Sequence, residues 1–400
     1  MILPAGVAPE ARLLLVGRAL RAFTDGYVAI LLPAYLLALG LGNWEVGLLS
    51  TATLLGSALA TLAVGAWGHR FSRRRLLLAA ALLMAATGLL LAGLSDFWPL
   101  LLVAFVGTMN PSSGDVSVFL PLEHARLAET ATSEARTQLF ARYTFIGALC
   151  AAIGALAAAV PDGLTAAGID PLTALRGMFV AYGAVGIAVW LLYRRLPEPS
   201  GHEHATPPTP LGPSRGIVVR LATLFSIDAF AGGLVLNTLL VLWLFERFGL
   251  SLAAAGSFFF WSGLLSAGSQ LAAPWVARRI GLINTMVFTH IPSSIFLILA
   301  AFAESLPVAL ALLLLRAALS QMDVPTRSAF VMAVVTPAER AAAASFTAVP
   351  RSLAAAASPA LGGAMFAASW LAAPLVACGV LKIAYDLAIW RAFRSTQPRH

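Results

Sequence analysis

The stretch Gly65-Ala66-Trp67-Gly68-His69-Arg70-Phe71-Ser72-Arg73-Arg74-Arg75 is the shortest polar break in the chain and the most densely charged, with four arginines between positions 70 and 75. Apolar runs flank it, Val46 to Trp67 before and Leu76 to Leu94 after. Each has the length of a bilayer span, which takes about 20 apolar residues. Two such helices turn through so short and basic a loop only at a membrane face, where arginine is hydrated and meets anionic head groups. The rest of the chain is oriented from this hairpin.

Composition agrees. Of 400 residues, 60% are hydrophobic and 11% charged, with a mean hydropathy of +0.86; soluble domains carry about 25% charged residues. The chain reads as an all-α polytopic membrane protein embedded in the lipid bilayer. A net charge of +8 raises the question of nucleic acid, but 25 of the 26 basic residues are arginine. Most of them lie at the ends of apolar segments, which is an orientation signal rather than a phosphate-binding face. No nucleic-acid partner is expected. Cys150 and Cys378, the two cysteines, fall inside apolar runs, so neither a disulfide nor a cysteine metal site is expected. Met1 to Arg12 lacks a charged region followed by a cleavage site, and the first apolar segment is expected to be a retained helix.

Twelve candidate spans follow, at roughly 13–40, 46–67, 76–94, 98–121, 138–160, 174–193, 217–244, 252–276, 284–302, 306–331, 343–368 and 372–390. The even-numbered connections hold Arg70, Arg73, Arg74, Arg75, Arg126, Arg136, Arg194, Arg195, Arg215, Arg278, Arg279 and Arg340, whereas the odd ones are mostly acidic. By the positive-inside rule the even loops and both termini are cytoplasmic. Trp44, Trp243, Trp261 and Trp275 fall near span ends and read as interfacial anchors. The longest polar stretch, Arg194 to Arg215, carries six prolines and reads as a flexible tether. It divides an N-terminal six-helix half, 1–193, from a C-terminal one, 217–400, with a cytoplasmic linker at 194–216. His202 and His204 lie in that linker and are expected to be solvated.

The halves repeat. Gly68 to Ser72 matches Ala277 to Gly281 at an offset of 209, Asp115-Val116 matches Asp323-Val324 at 208, and Arg142 with Gly154 matches Arg351 with Gly363 at 209. Thr24-Asp25-Gly26 has a looser counterpart in Ile227-Asp228-Ala229. Internal repeats of this kind characterise secondary transporters, whose binding sites lie near the midplane.

At this point the residues resemble the major facilitator superfamily. Its signature between spans two and three is G-x-L-A-D-R-x-G-R-[RK], matched here by Gly65, Arg70, Arg73 and Arg74, with His69 in place of the aspartate and Ser72 in place of the second glycine. Ser358-Pro359-Ala360-Leu361-Gly362-Gly363 in span eleven resembles the G-P-x-x-G-G pattern that antiporters of this superfamily carry in span five. The arginine such antiporters place in span four is replaced by Thr108, while Arg316 stands at the repeat-equivalent position in span ten. The resemblance implies twelve transmembrane helices in two pseudo-symmetric six-helix halves, a monomer, and alternating access for a small-molecule substrate. It further implies a gating role for Gly65, His69, Arg70, Arg73 and Arg74, the arginines latching onto helix-end carbonyls and acids of the neighbouring half. His69 either makes that latch pH-sensitive or is simply hydrated.

Ionisable groups at the centre of a span cost about 2.5–3.5 kcal/mol on insertion scales, so each is a functional candidate. Asp25 lies near the middle of span one, with Arg21 at i−4. Either the two neutralise each other or Asp25 is a proton or cation site. Asp115 with Arg142, and Asp323 with Arg351, are expected to lie at similar depths and form two pseudo-symmetric pairs. Asn110-Pro111-Ser112-Ser113-Gly114 cannot be an uninterrupted helix and is expected to line a cavity, with Asp228 and Asn237 as the matching polar patch on span seven. Glu123-His124-Ala125-Arg126 is read as a solvated loop. The expected substrate and proton site therefore comprises Asp25, Asn110, Asp115, Arg142, Asp228, Asn237, Arg316, Asp323 and Arg351. No catalytic residue, metal site or cofactor is expected; a proton gradient is the expected driving force, with proton uptake at Asp25 or Asp228. The reading is a secondary active transporter of a bacterial inner membrane, performing proton-coupled efflux. Uptake or facilitated diffusion of a polar solute is the alternative within transport, and a non-transporting sensor or scaffold the alternative class.

Overall fold

The computed structural model describes residues 6–110, 117–197, 211–336 and 339–394, apart from the side chains of His69, Ser133, Glu134, Thr137 and Ala341. Asp115, Pro111 to Gly114, His202 and His204 lie outside the described residues.

Helix follows helix. In order they are α1 (Ala11–Ala38), α2 (Asn43–Trp67), α3 (Arg73–Gly93), α4 (Phe97–Val106), α5 (Phe119–Glu129), α6 (Ser133–Leu156), α7 (Val160–Ala166), α8 (Pro171–Tyr193) and α9 (Arg215–Gly233). They continue with α10 (Asn237–Phe248), α11 (Leu252–Ile280), α12 (Leu282–Ala301), α13 (Leu306–Ser320), α14 (Asp323–Val334), α15 (Arg340–Ala357), α16 (Pro359–Ala367) and α17 (Ala373–Phe393). With no water to satisfy amides in hydrocarbon, continuous helix is the economical answer for so apolar a chain.

Ten helical stretches among the described residues are long and apolar enough to cross a membrane. The two expected spans that fall short are four and eleven. Span four begins as the 10-residue α4 and leaves the helix before Asn110. Span eleven is divided at Ser358 into α15 and α16, because Pro359 cannot donate to the preceding turn. Other spans are interrupted without being lost: span seven at Leu234–Leu236, just after Gly232 and Gly233, and span ten at Gln321–Met322.

The described chain divides into two compact units. The first takes 1–202 with 237–245 and 249–260, the second 203–236, 246–248 and 261–400. In the first unit, α1 crosses α6 backbone to backbone. A Cβ added at Gly26 would lie 2.1 Å from the Ala151 carbonyl oxygen, and one at Gly154 1.9 Å from that of Phe23. Helices α3 and α8 meet in the same way at Gly88, whose added Cβ would lie 2.4 Å from the Gly183 nitrogen. Lipid is as apolar as leucine, so close packing of this kind is what holds membrane helices together. Trp243, expected at an interface, is instead fully buried on α10. Its neighbours Leu242 and Leu244 are equally buried, because this short helix packs with apolar residues on several faces.

In the second unit α9 crosses α15 at Gly233, whose added Cβ would lie 2.4 Å from the Ala355 carbonyl oxygen, and α17 crosses α12 at Gly379. Phe225, Val287, Phe330, Val331, Tyr385 and Ile389 form its apolar core. The start of α9 is tied down by Glu339, which accepts from the Gly212 amide, from Ser214 Oγ at 2.6 Å and from Thr336 Oγ1 at 2.5 Å. These bonds, Ser214's foremost, lower the Glu339 carboxyl from an ordinary 4.5 to about 2. A depressed carboxylate stabilises the fold above its unfolded value, so this tie weakens only as pH falls from about 4.5 toward 2.

Replacing Gly154 with leucine is expected to cost at least about 1–3 kcal/mol through overpacking of the α1–α6 crossing, read as a lower thermal midpoint in detergent. Gly65→Ala is the matched control. Its added Cβ meets nothing within 4 Å, so the midpoint is expected to hold or rise by up to about 1 kcal/mol.

Candidate functional site

Two networks of buried charged residues stand out among the described residues, one in each unit. That of the first unit centres on Glu123 of α5, which is 0% exposed. Its carboxylate accepts from the Arg21 guanidinium of α1 and from the hydroxyls of Tyr143 on α6 and Tyr193 on α8. Arg21 also lies 4.0 Å from the centre of the Phe119 ring, and Arg18, one turn earlier, 5.2 Å from that of Tyr143. Glu123 and Arg126 were expected in a solvated loop; both are buried on a helix. The sequence reading erred because it took an acidic-basic string as a loop, whereas α5 turns Glu123 inward among three helices.

This network removes the simplest partner of Asp25. Arg21 was one candidate to neutralise it, but Arg21 is committed to Glu123, and the Thr24 hydroxyl donates to the Arg21 carbonyl at 2.8 Å. Asp25 stands at the middle of the 28-residue α1, half-buried, with no hydrogen bond or ion pair among the described residues.

Around the basic loop, Arg73 and Arg74 have partners within their own unit. Arg73 pairs with Glu129 at the end of α5, which Arg126 also holds at 2.7 Å. Arg74 donates to the Arg194 carbonyl at 2.7 Å, capping the C-terminal end of α8, and Arg126 donates to the Pro197 carbonyl at 2.6 Å. These are the contacts expected of cations at helix C-termini. Gly65 and Arg70 are exposed.

The second network is longer. Asp228 on α9 receives Lys382 of α17 on one carboxylate oxygen at 2.6 Å and Arg327 of α14 on the other at 3.0 Å. Arg327 reaches back to Asp323, one turn earlier on α14, at 3.3 Å. His290 of α12 places Nδ1 3.1 Å from both oxygens of Asp386 on α17 and Nε2 3.3 Å from Lys382 Nζ. Asp323 was expected to pair with Arg351. It is buried and pairs with Arg327 because i, i+4 on one helix is the shorter reach, while Arg351 is exposed on α15. The companion pair cannot be placed, since Asp115 lies outside the described residues; Arg142 is exposed on α6. Asn110 is buried beyond the end of α4, and Asn237 is half-buried at the start of α10. Arg316 is half-buried on α13, its carbonyl accepting from Ser293 at 3.3 Å; its guanidinium has no hydrogen bond or ion pair among the described residues.

His290, Arg327, Lys382 and Asp386 escaped the sequence reading, as did Tyr143 and Tyr193. A signal existed: Lys382 is the single lysine of the chain, and it lies inside the apolar run of α17 with Asp386 at i+4. Spans nine and twelve, which hold His290 and Lys382, carry no repeat motif, so attention fell on spans one, four, seven and ten.

The two kinds of ion pair separate experimentally. Glu123→Gln leaves Arg21 buried without a countercharge and is expected to cost about 3–5 kcal/mol of unfolding free energy in detergent. Arg73→Gln breaks a pair whose members are 35% and 26% exposed and is expected to cost about 1 kcal/mol or less.

Comparison with known proteins agrees with this architecture. An uncharacterized membrane protein of Saccharomyces cerevisiae is 24% identical over 354 residues, covering 80% of this chain and 79% of that one. A D-xylose transporter of Levilactobacillus brevis is 30% identical over 115 residues, which is 29% of this chain and 25% of that protein. Among solved structures, a D-xylose-proton symporter superposes with a TM-score of 0.74 at 17% identity, covering 95% of this chain and 96% of the other. The profile of the Major Facilitator Superfamily matches residues 14–315. The chain belongs to the Major Facilitator Superfamily and is an integral membrane transporter of a solute, not an enzyme.

Proposed function

We propose that the chain is a secondary active transporter that moves a small solute by alternating access, drives it with protons, and exports it. The observation that carries this reading is Asp25: an acid at the centre of a span whose nearest basic neighbour on the helix is bound elsewhere. Ionised, it bears an insertion cost of about 2.5–3.5 kcal/mol that protonation or a bound cation removes. A group balanced between those states is what proton coupling needs, whereas a scaffold has no use for it. Asp228, the other expected proton acceptor, is already bridged by two cations, which favours Asp25 for this role. A D-xylose-proton symporter shares the fold, so proton coupling is compatible with it. For export we rely on the basic loop and on the Ser358 to Gly363 stretch, in which Gly362 and Gly363 are buried next to the α15–α16 break.

The test is transport in proteoliposomes under an imposed pH gradient, with pentoses and nucleosides as the first solutes screened and both gradient polarities compared. Asp25→Asn is expected to abolish accumulation against a gradient while leaving downhill exchange. Unchanged gradient-driven flux in the variant would remove Asp25 from coupling, and accumulation only with protons entering alongside solute would reverse the direction.

A further inference from the structure

Asp228, Asp323, Asp386, Arg327, Lys382 and His290 make one connected cluster across α9, α12, α14 and α17. Three carboxylates face two cations, Arg327 and a protonated Lys382. With a neutral imidazole the cluster carries one excess negative charge; with one added proton it is balanced. In a low-dielectric span that imbalance is costly, so the cluster has one place for a proton.

Geometry says where. Both oxygens of Asp228 are occupied by cationic donors, at 2.6 and 3.0 Å, and a proton there would face an N–H. Asp323 has Arg327 at 3.3 Å and sits in the first turn of α14, where the helix dipole favours negative charge. Asp386 is different: it is 0% exposed and its partner is His290, with no arginine or lysine in ion-pair contact among the described residues. The remaining groups facing His290 do not supply one. Tyr385 of α17 places its ring centre 6.3 Å away, with a buried hydroxyl that has no hydrogen-bond partner among the described residues; α13 offers the Arg316 carbonyl to Ser293; and α12 carries no other charged residue.

We propose that His290 and Asp386 form a proton-binding site whose occupancy selects the partner of Lys382. With imidazole neutral and Nδ1–H donating to Asp386, Nε2 accepts from Lys382 Nζ at 3.3 Å. When a proton binds, Nε2 becomes a donor and can no longer accept from the ammonium group. Its nearest acceptor is then Asp228 Oδ1 at 3.9 Å, the atom that Lys382 already holds. Proton binding between α12 and α17 thereby adds positive charge facing Asp228 on α9, four residues before the Gly232–Gly233 end of that helix. The proton's part in driving transport rests on the reading given above; the binding site does not.

The experiment is nitrogen-15 NMR of the purified full chain labelled at histidine, titrated in detergent over about pH 5 to 9. The His290 signal is assigned by its loss in His290→Gln or, should that variant fail to fold, in a chain whose other five histidines are glutamine. Asp386→Asn is expected to weaken proton binding at His290 at least about tenfold, and Lys382→Met to strengthen it by a similar factor. Either shift supports the site. Coincident His290 signals in wild type and both variants at every pH would overturn it. No substrate or gradient enters the measurement, so failure of Asp25 in the flux assay and failure here are separate results.

Discussion

A carboxylate inside a bilayer cannot borrow solvation from water, and both buried networks of this protein follow from that constraint. Glu123 meets it by saturation: one guanidinium and two phenol hydroxyls converge on a single acid from three helices. The consequence is a rigid joint among α1, α5, α6 and α8, reinforced where α1 and α6 meet at Gly26 and Gly154. Asp25, one turn beyond Arg21 on the same helix, is left out of that joint. That Arg21 makes its ion pair with Glu123 rather than with Asp25 is thus a product of the joint's geometry.

The second unit meets the same constraint by sharing. No acid of its buried network collects three donors; the six groups hand hydrogen bonds and ion pairs along a chain from Asp323 to Asp386. A saturated joint has one arrangement, whereas a shared chain has as many as there are ways to place its protons. The units descend through sequence motifs at a nearly constant offset, yet their interruptions differ: span seven breaks after Gly233 while span one runs unbroken through Pro33.

Much of the fold was legible. The Arg70–Arg75 loop identified a membrane hairpin, and Asn110-Pro111 marked a break in span four, whereas the breaks in spans seven and eleven were not anticipated. What could not be read was who pairs with whom. Arg21 with Asp25, and Asp323 with Arg351, were reasonable from spacing and depth, but partner choice is decided by helix rotation, which apolar sequence leaves open. Asp323 turned to Arg327 on its own helix, and Arg21 to an acid 102 positions away. His290 and Lys382 were visible as ionisable residues in apolar runs. They were overlooked because the repeat drew attention to other spans, and chemistry here is not confined to repeated positions.

The chain's near-exclusive use of arginine has a meaning beyond topology. Guanidinium keeps its proton under all ordinary conditions, while an amine or imidazole can give one up. Twenty-five of the 26 Lys and Arg side chains hold fixed charge, and the single lysine lies in contact with His290 and Asp228. The protein thus separates two kinds of cation: guanidinium groups cap helix ends and hold buried acids, while its one amine lies between an acid and an imidazole, where a cation that need not be permanent has a use.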